Sequence, residues 1–310
     1  MTLRVVDVSD PPFVPAGPVV AIGDLRASSA EYWLEQATFT LTDQHTDDRR
    51  VVTVPSVPAA LSELTDRVDC NPQAAAVCDD VLRAVDVSAP AFPGVITESL
   101  AYSTLQAGPE FARWLAERGP AALPDIPDPV IAERDGGTLR VSFNRPQRHN
   151  AFSTDARAAL LEMLAVAQLD TSVTEVVLDG VGPSFCSGGD LGEFGTFADP
   201  ASAHLARTRH SPALALDELT GRLGRNCRAE LHGQVLGSGL EMAAFCGHVV
   251  CANEATLGLP ELALGLIPGA GGTVSITRRI GRWRTAYLVL SGRFLDPDTA
   301  LSWGLVDEIR

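Results

Sequence analysis

Two glutamates stand in apolar text beside glycine-rich turns. Glu241 lies in "VLGSGLEMAAFCG" (235–247) and Glu261 in "LGLPELALGLIPGAGG" (257–272). A carboxylate withdrawn from water is paired, kept neutral or functional, because an isolated buried charge is costly. Two such groups, with pKa values set by burial, suit general acid and base work on one substrate. Structural roles compete: a first-turn carboxylate compensates a helix dipole, and a loop glutamate can cap the next turn. Three turns are rich in glycine: "SFCSGGDLGEF" (184–194), "GQVLGSGLE" (233–241) and "IPGAGGTV" (267–274). Glycine lets a backbone approach a ligand, and a helix N-terminus offers unpaired N–H groups. Tight strand-to-helix packing would equally demand small residues there. The G-x-G-x-x-G fingerprint is absent and "PGAGGT" lacks a P-loop lysine, which disfavours nucleotide hydrolysis.

Composition narrows the partners. The 310 residues carry a net charge of −15, which argues against a nucleic-acid backbone or anionic membrane as the main partner. A local basic site remains open, and Arg278, Arg279, Arg282 and Arg284 are candidates for a phosphate-binding cluster. The start, "MTLRVVDVSD", lacks the order of a signal peptide, and no apolar run is long enough to span a membrane. Cys70, Cys78, Cys186, Cys227, Cys246 and Cys251 form no C-x-x-C pair, as expected of buried thiols in a reducing cytoplasm. Neither cysteines nor histidines show metal-ligand spacing, so no metal is expected.

The elements that must position these residues fall into two parts. "RGPAALPDIPDPVIAERDGG" carries Pro120, Pro124, Pro127 and Pro129, and 120–137 reads as a linker between a segment 1–119 and a core 138–310. Upstream, "PVVAIGDL" and "RRVVTVP" read as strands and "SAEYWLEQA" as a short helix. In "NPQAAAVCDDVLRAVD" Asn71 can cap, Pro72 fits the first helical position, and Ala74, Val77, Cys78, Val81, Leu82 and Val85 form one stripe. "TESLAYSTLQAGPEFARWLAERG" predicts two helices broken at Gly108-Pro109 and ended by Gly119, with Phe111, Trp114 and Leu115 on one side. Downstream, strand and helix alternate: "TLRVSF", a helix capped by Ser153, "TEVVLDG", "CRAELHG", a helix after Gly239, "HVVCA", "TLGL", then helices through "VSITRRI" and "WRTAYLVLSG". Such alternation predicts an α/β domain.

Together, "NRPQRHNAF", "SFCSGGDL", "GSGLEMAAFCG", "LGLPELALGLIPGAGGT" and "LSWGLVDEI" resemble, in order and spacing, the crotonase (enoyl-CoA hydratase/isomerase) superfamily over residues 138–309. The resemblance implies a spiral of ββα units of the ClpP/crotonase kind that binds acyl-CoA thioesters. CoA would arrive as part of the substrate, with no separate cofactor. The N–H groups of Ser187 and Ser238 match the family's oxyanion hole, and Glu241 and Glu261 match the hydratase acid/base pair. Arg148, His149, Phe185, Ser187, Gly188, Gly189, Asp190, Leu191 and Gly237 match its CoA and substrate wall. Phe185, Phe194, Phe197 and Trp283 are candidates for the acyl pocket or for core. The chain departs from the family at Ser238, usually glycine, at Gly192, often Lys or Ser, and at Arg228, Glu230 and His232, where a mostly apolar strand is usual.

Retention of both carboxylates favours hydration of a 2-enoyl-CoA. Alternatives are another reaction through the same enolate (isomerisation, thioester hydrolysis or a synthase step), or a low-activity CoA-binding or structural subunit beside an active homologue. The family implies a cytoplasmic homotrimer or hexamer with no nucleic-acid or membrane partner. Its C-terminal helices would follow Arg310. The N-terminal text resembles that tail, so residues 56–119 are expected to pack in its place against the pocket of Glu241 and Glu261.

Overall fold

The computed structural model describes residues 3–122 and 126–310. A small parallel sheet opens the chain, in the order β1 (Arg4–Asp7), β2 (Val19–Ile22), β3 (Phe39–Thr42), β4 (Val51–Thr53), with α1 (Ala30–Gln36) before β3. Trp33 of α1 is fully buried against Phe13 and Tyr32, giving this segment a core of its own. Two of the strands, β2 and β4, coincide with those expected. Of the other two, "RVVD" lacks the alternation that marks a half-buried strand, while "FTLT" alternates over four residues only and is buried on both faces.

Four helices follow: α2 (Val57–Cys70), α3 (Pro72–Ala84), α4 (Ala91–Gln106) and α5 (Pro109–Arg118). The break at Gly108-Pro109 and the stop at Gly119 fall as expected. The cap of α3 does not. Asn71 makes no side-chain cap; its Oδ1 accepts from Arg113, and the Glu110 carboxylate takes the Gln73 and Ala74 N–H groups at 2.7 and 2.9 Å. A carboxylate from α5 thus supplies the anion that α3's first turn attracts.

The core holds six strands in the order β12-β10-β8-β7-β6-β5: β5 (Val130–Asp135), β6 (Thr138–Phe143), β7 (Glu175–Gly180), β8 (Cys227–Leu231), β10 (His248–Cys251) and β12 (Glu308–Ile309). All pairs are parallel except β5–β6. The hairpin β5–β6 corrects the expected boundary: "VIAERD", placed in the linker, pairs with β6 from Val130 to Asp135. Pro124 lies outside the described residues. On β6, Leu139, Val141 and Phe143 are buried as the alternation predicts.

A second, smaller layer pairs β9 (Gln234–Leu236) with β11 (Thr256–Gly258), extended by bridges from Cys186 to Val235 and from Leu257 to Leu295. The chain alternates between layers. β8 enters the large sheet, β9 the small one, and α9 (Ser238–Ala243) follows; β10, β11 and α10 (Gly272–Ser291) repeat the pattern. These are the ββα units expected. α6 (Thr154–Leu169), α7 (Pro200–Arg209), α8 (Pro212–Leu223) and α11 (Pro297–Trp303) complete the fold. Ser153 caps α6 by accepting from the Ala156 N–H. Non-helical Gly281 divides α10 between the two stretches read as separate helices.

The charged strand β8 buries Cys227, Ala229 and Leu231 on one face. On the other, Arg228 pairs with Glu175 and Glu230, and Arg140 pairs with Glu230 and Asp179, a half-wet ladder across β6, β7 and β8. Helices α3 and α4 pack on α10, and α4 also packs on α7. Residues 56–119 therefore sit against the core as expected.

Candidate functional site

The glycine turns meet at the mouth of the small layer. After β7 the chain runs beside β9, with Cys186 N–H on Gln234 O and Leu236 N–H on Cys186 O. Gly237 donates to Gly258 O and turns into α9. Gly188 and Gly237 both hold positive φ, +97° and +48°, and a Cβ on Gly237 would lie 3.5 Å from the Gly188 Cα. That spacing is ordinary contact; it is the positive φ at both positions that favours glycine.

Which amides remain free decides what the turns can do. The Ser187 N–H is spent on His149 O at 2.9 Å. This corrects the expected oxyanion donor. Phe152 N–H binds Gly188 O and Asp190 N–H binds Phe152 O, but the N–H groups of Gly188 and Gly189 meet no acceptor among the described residues. Ser238 opens α9, so its N–H has no intrahelical partner. Gly189 and Ser238 thus supply free amides, one from each turn, on one cavity wall. Backbone donors leave no side-chain signature, so the family resemblance alone placed this donor at Ser187, two residues before Gly189.

The cavity, about 290 Å³, is lined by these turns, by Glu241 and Glu261, and by Tyr102 of α4. Glu241 is buried, and its Oε2 accepts the Ala270 and Gly272 N–H groups at 2.7 and 2.8 Å. Burial raises its pKa to about 7, and those two donors resist the rise. Glu261 is also buried, but its Oε2 has no partner among the described residues. Burial, then the charge of Glu241, raise its pKa well above the ordinary value. A third carboxylate was not anticipated. Glu98 of α4 is 1% exposed and accepts the N–H groups of Gly271 and Thr273 at 2.7 and 2.8 Å, with the Thr273 hydroxyl at 2.7 Å. Burial, then Glu241, push its pKa to about 8. Four consecutive amides entering α10 are therefore gripped alternately by Glu241 and Glu98.

The remaining expected residues divide between wall and scaffold. Gly188, Gly189, Asp190, Leu191, Gly237, Phe194 and Phe197 line the cavity. Phe185 is fully buried edge-on to Phe143, and Trp283 lies beneath Arg282 away from the cavity; both belong to packing. Arg148 and His149 do not line the cavity. Arg148 binds Asp190 Oδ1 at 2.8 Å, and the His149 ring meets Ser184 Oγ at 2.9 Å. Sequence reasoning missed Arg145, which binds the other Asp190 oxygen at 2.9 Å, and buried Asn150, which ties Arg145 N–H to the carbonyls of Val181 and Ser184. Both stand in "NRPQRHNAF". Burial would raise the Asp190 pKa, but the Arg145 bond, the Gly192 N–H and Arg148 outweigh it. This clamp holds the loop that carries Gly188 and Gly189.

The expected arginine cluster does not form. Arg278 pairs with Asp217, Arg279 binds the carbonyls of Ala244 and Cys246, Arg282 binds the Ala37 and Glu35 carbonyls, and Arg284 covers Trp303. The cysteines are all free, and five are buried; Cys70 is exposed. Among the described residues, no group of ligands could hold a metal, and no helix is long and apolar enough to cross a membrane.

Comparison with known proteins agrees with this architecture. Residues 133–310 match the family model for enoyl-CoA hydratase/isomerase. The chain is 33% identical over 180 residues to 2,3-dehydroadipyl-CoA hydratase of Escherichia coli, covering 58% of this chain and 68% of that one. It is 33% identical over 178 residues to a probable mitochondrial enoyl-CoA hydratase 2 of Arabidopsis thaliana, covering 57% and 58%. Among solved structures, an enoyl-CoA hydratase of Thermoplasma volcanium superposes with a TM-score of 0.51 at 30% identity, over 59% of this chain and 71% of the other. A putative enoyl-CoA hydratase of Thermobifida fusca, in complex with acetoacetyl-CoA, gives 0.52 at 26% identity over 58% and 73%. With its ββα spiral, its paired glycine turns and a family match across more than half its length, the chain belongs to the enoyl-CoA hydratase/isomerase family.

Proposed function

We propose that the protein adds water across the C2–C3 double bond of a 2-enoyl-CoA thioester. The observation that carries this is the unlike setting of two carboxyls beside free amides. Glu261, buried with an unpartnered oxygen, favours the protonated acid. Glu241 is held by two amide donors through Oε2, which favours the anion and leaves Oε1 to take a proton. Environments that separate two carboxyl pKa values define an acid and a base.

In this scheme the thioester oxygen lies between the Gly189 and Ser238 N–H groups. Glu241 removes a proton from water as its oxygen bonds to C3. The C2–C3 π electrons move toward the thioester, and charge on its oxygen is met by the two amides. The enolate then re-forms the carbonyl as C2 takes the proton of Glu261. One such donor contributes roughly 10²–10³ in rate. CoA enters as part of the substrate. The named hydratases among the relatives support this direction. A single-base isomerisation through Glu261 is the second scheme, favoured by the bonds that already occupy Glu241 Oε2.

Loss of enoyl-thioester absorbance, followed with Glu241→Gln and Glu261→Gln, separates the two. Hydration predicts that each substitution lowers kcat by about 10²–10⁴. Loss in Glu261→Gln alone indicates isomerisation, and no turnover of any enoyl-CoA by the wild type indicates a CoA-binding subunit. The assembly proposed from the family is a homotrimer or hexamer, which light scattering measures. The free thiols fit a reducing compartment such as the cytoplasm.

A further inference from the structure

Beyond the acid/base pair, the cavity contains two guanidinium groups that hydration does not use. Arg157 projects from α6 and Arg207 from α7, and both line the cavity. Four other half-buried or buried arginines meet carboxylates: Arg145 has Asp190, Arg140 and Arg228 share Glu230, and Arg278 has Asp217; Arg222 and Arg282 instead spend their donors on backbone carbonyls away from the cavity. Arg157 and Arg207 have no carboxylate within ion-pair distance among the described residues, and the Arg157 guanidinium makes no hydrogen bond there, its backbone N–H alone bonding to Ser153 O. Arg207 is fixed by neutral groups only: Ser99 Oγ at 3.1 Å, Ser99 O at 3.2 Å, Gln106 Oε1 at 3.0 Å and the Ser103 hydroxyl, with the Tyr102 ring 4.6 Å beneath it. Glu193, the acid that acts on Arg157, gives Oε2 to the Thr154 N–H and hydroxyl, and Glu98, the acid that acts on Arg207, is engaged by Gly271 and Thr273. Withdrawal from water lowers the pKa of both arginines, and Glu193 near Arg157 and Glu98 near Arg207 offset that desolvation only in part.

Their position relates them to the acyl chain. The Tyr102 ring that carries Arg207 packs on Gly269, where a Cβ would lie 2.5 Å from ring carbons, and the next residue, Ala270, holds Glu241. The Arg207 guanidinium thus stands across the Tyr102 ring from the segment that holds Glu241, and Arg157 lines the same cavity with Phe152, Phe194 and Met242. We infer that the cavity accepts an acyl chain ending in an anionic group, with Arg157 as its free receptor and Arg207 as a second, pre-positioned cation. Arginine presents planar paired donors to a carboxylate, and a charge-assisted pair adds affinity and orientation. This deepens the hydratase proposal and rests on it for the placement of the thioester.

The test uses saturated ligands, so binding is read without turnover. Titration calorimetry compares glutaryl-, adipyl- and pimelyl-CoA with butyryl-, hexanoyl- and heptanoyl-CoA, and with CoA alone. The wild type should bind at least one carboxylated ligand about 10–100-fold tighter than its uncharged counterpart. Arg157→Met should collapse that ratio to within about threefold, and Arg157→Lys should restore part of it. The Arg157 side chain supports no internal hydrogen bond, so its removal should leave the fold intact, checked by an unchanged melting temperature. A ratio near one for all three pairs in the wild type overturns the inference. So does an equal loss for every ligand in Arg157→Met, which would assign that guanidinium to the CoA phosphates. A retained carboxylate preference with no hydration would refute the proposed reaction instead, leaving the anion receptor in place.

Discussion

Glu98→Gln probes the unanticipated carboxylate with little change of shape. One Glu98 oxygen accepts the Gly271 N–H and the other accepts the Thr273 N–H and hydroxyl. An amide turns one of these acceptors into a donor facing a backbone N–H that cannot reverse. A lost buried hydrogen bond of this kind costs about 2 kcal/mol. At about 2 °C per kcal/mol for a chain of this size, Tm should fall by about 4 °C. The pH dependence supplies a second measure. The folded pKa of Glu98 is about 8, against an ordinary value of 4.5, because burial opposes its charge. A carboxyl with a raised folded pKa contributes stability fully below pH 4.5 and loses it as pH rises through about 8. Glu241, at about 7, acts in the same sense. Wild-type stability should therefore decline from about pH 5 to 9, and Glu98→Gln should decline less steeply. Differential scanning calorimetry across that range measures both effects. Equal slopes for the two proteins, with equal Tm, would refute the role assigned to Glu98.

Gly237→Ala should lower kcat by about 10², because the new Cβ would stand 2.6 Å from Glu261 Oε1 and displace it; steady-state kinetics should show this beside a stability loss of about 1–3 kcal/mol, since its φ of +48° with ψ of −125° strains any residue that carries a Cβ. Arg145→Met leaves Asp190 buried with one cation, and urea denaturation should register a loss of about 3–5 kcal/mol. Arg140→Ala, in the half-wet ladder on β8, should cost about 1 kcal/mol or less in the same assay.

How much of this was legible follows from how each feature is written. Glu241 and Glu261 stood out because charge in apolar text is rare, and both line the cavity. Glu98 sits in "TESLAYS", where a helix with a polar face explains it; its partners lie 173 and 175 positions away. Gly189 was assigned to the substrate wall by the family resemblance, while its amide was overlooked because side chains do not reveal which N–H a loop has already used. Arg113 and Glu110 displaced Asn71 from its cap by the same long-range route. The periodic helices and the Gly281 division were readable locally. Strand β3 was not, since "FTLT" alternates over only four residues, too short a run to stand out, and its threonines are buried with its apolar residues. "VIAERD" was lost among the prolines that precede it.

The order of the elements has a consequence for synthesis. Helices α3 and α4 leave the ribosome before the large sheet exists, and the main partner of α3, α10, begins roughly 190 residues after α3 ends. At ~5–20 residues per second, the apolar stripe of α3 waits ~10–40 s for the surface that covers it. During that interval Val81, Leu82 and Cys78, buried in the finished protein, are candidate contacts for a chaperone or another nascent chain. The wall that closes the cavity is made first and seated last, so the acid/base pair becomes enclosed only after the N-terminus of α10 has been delivered to Glu98.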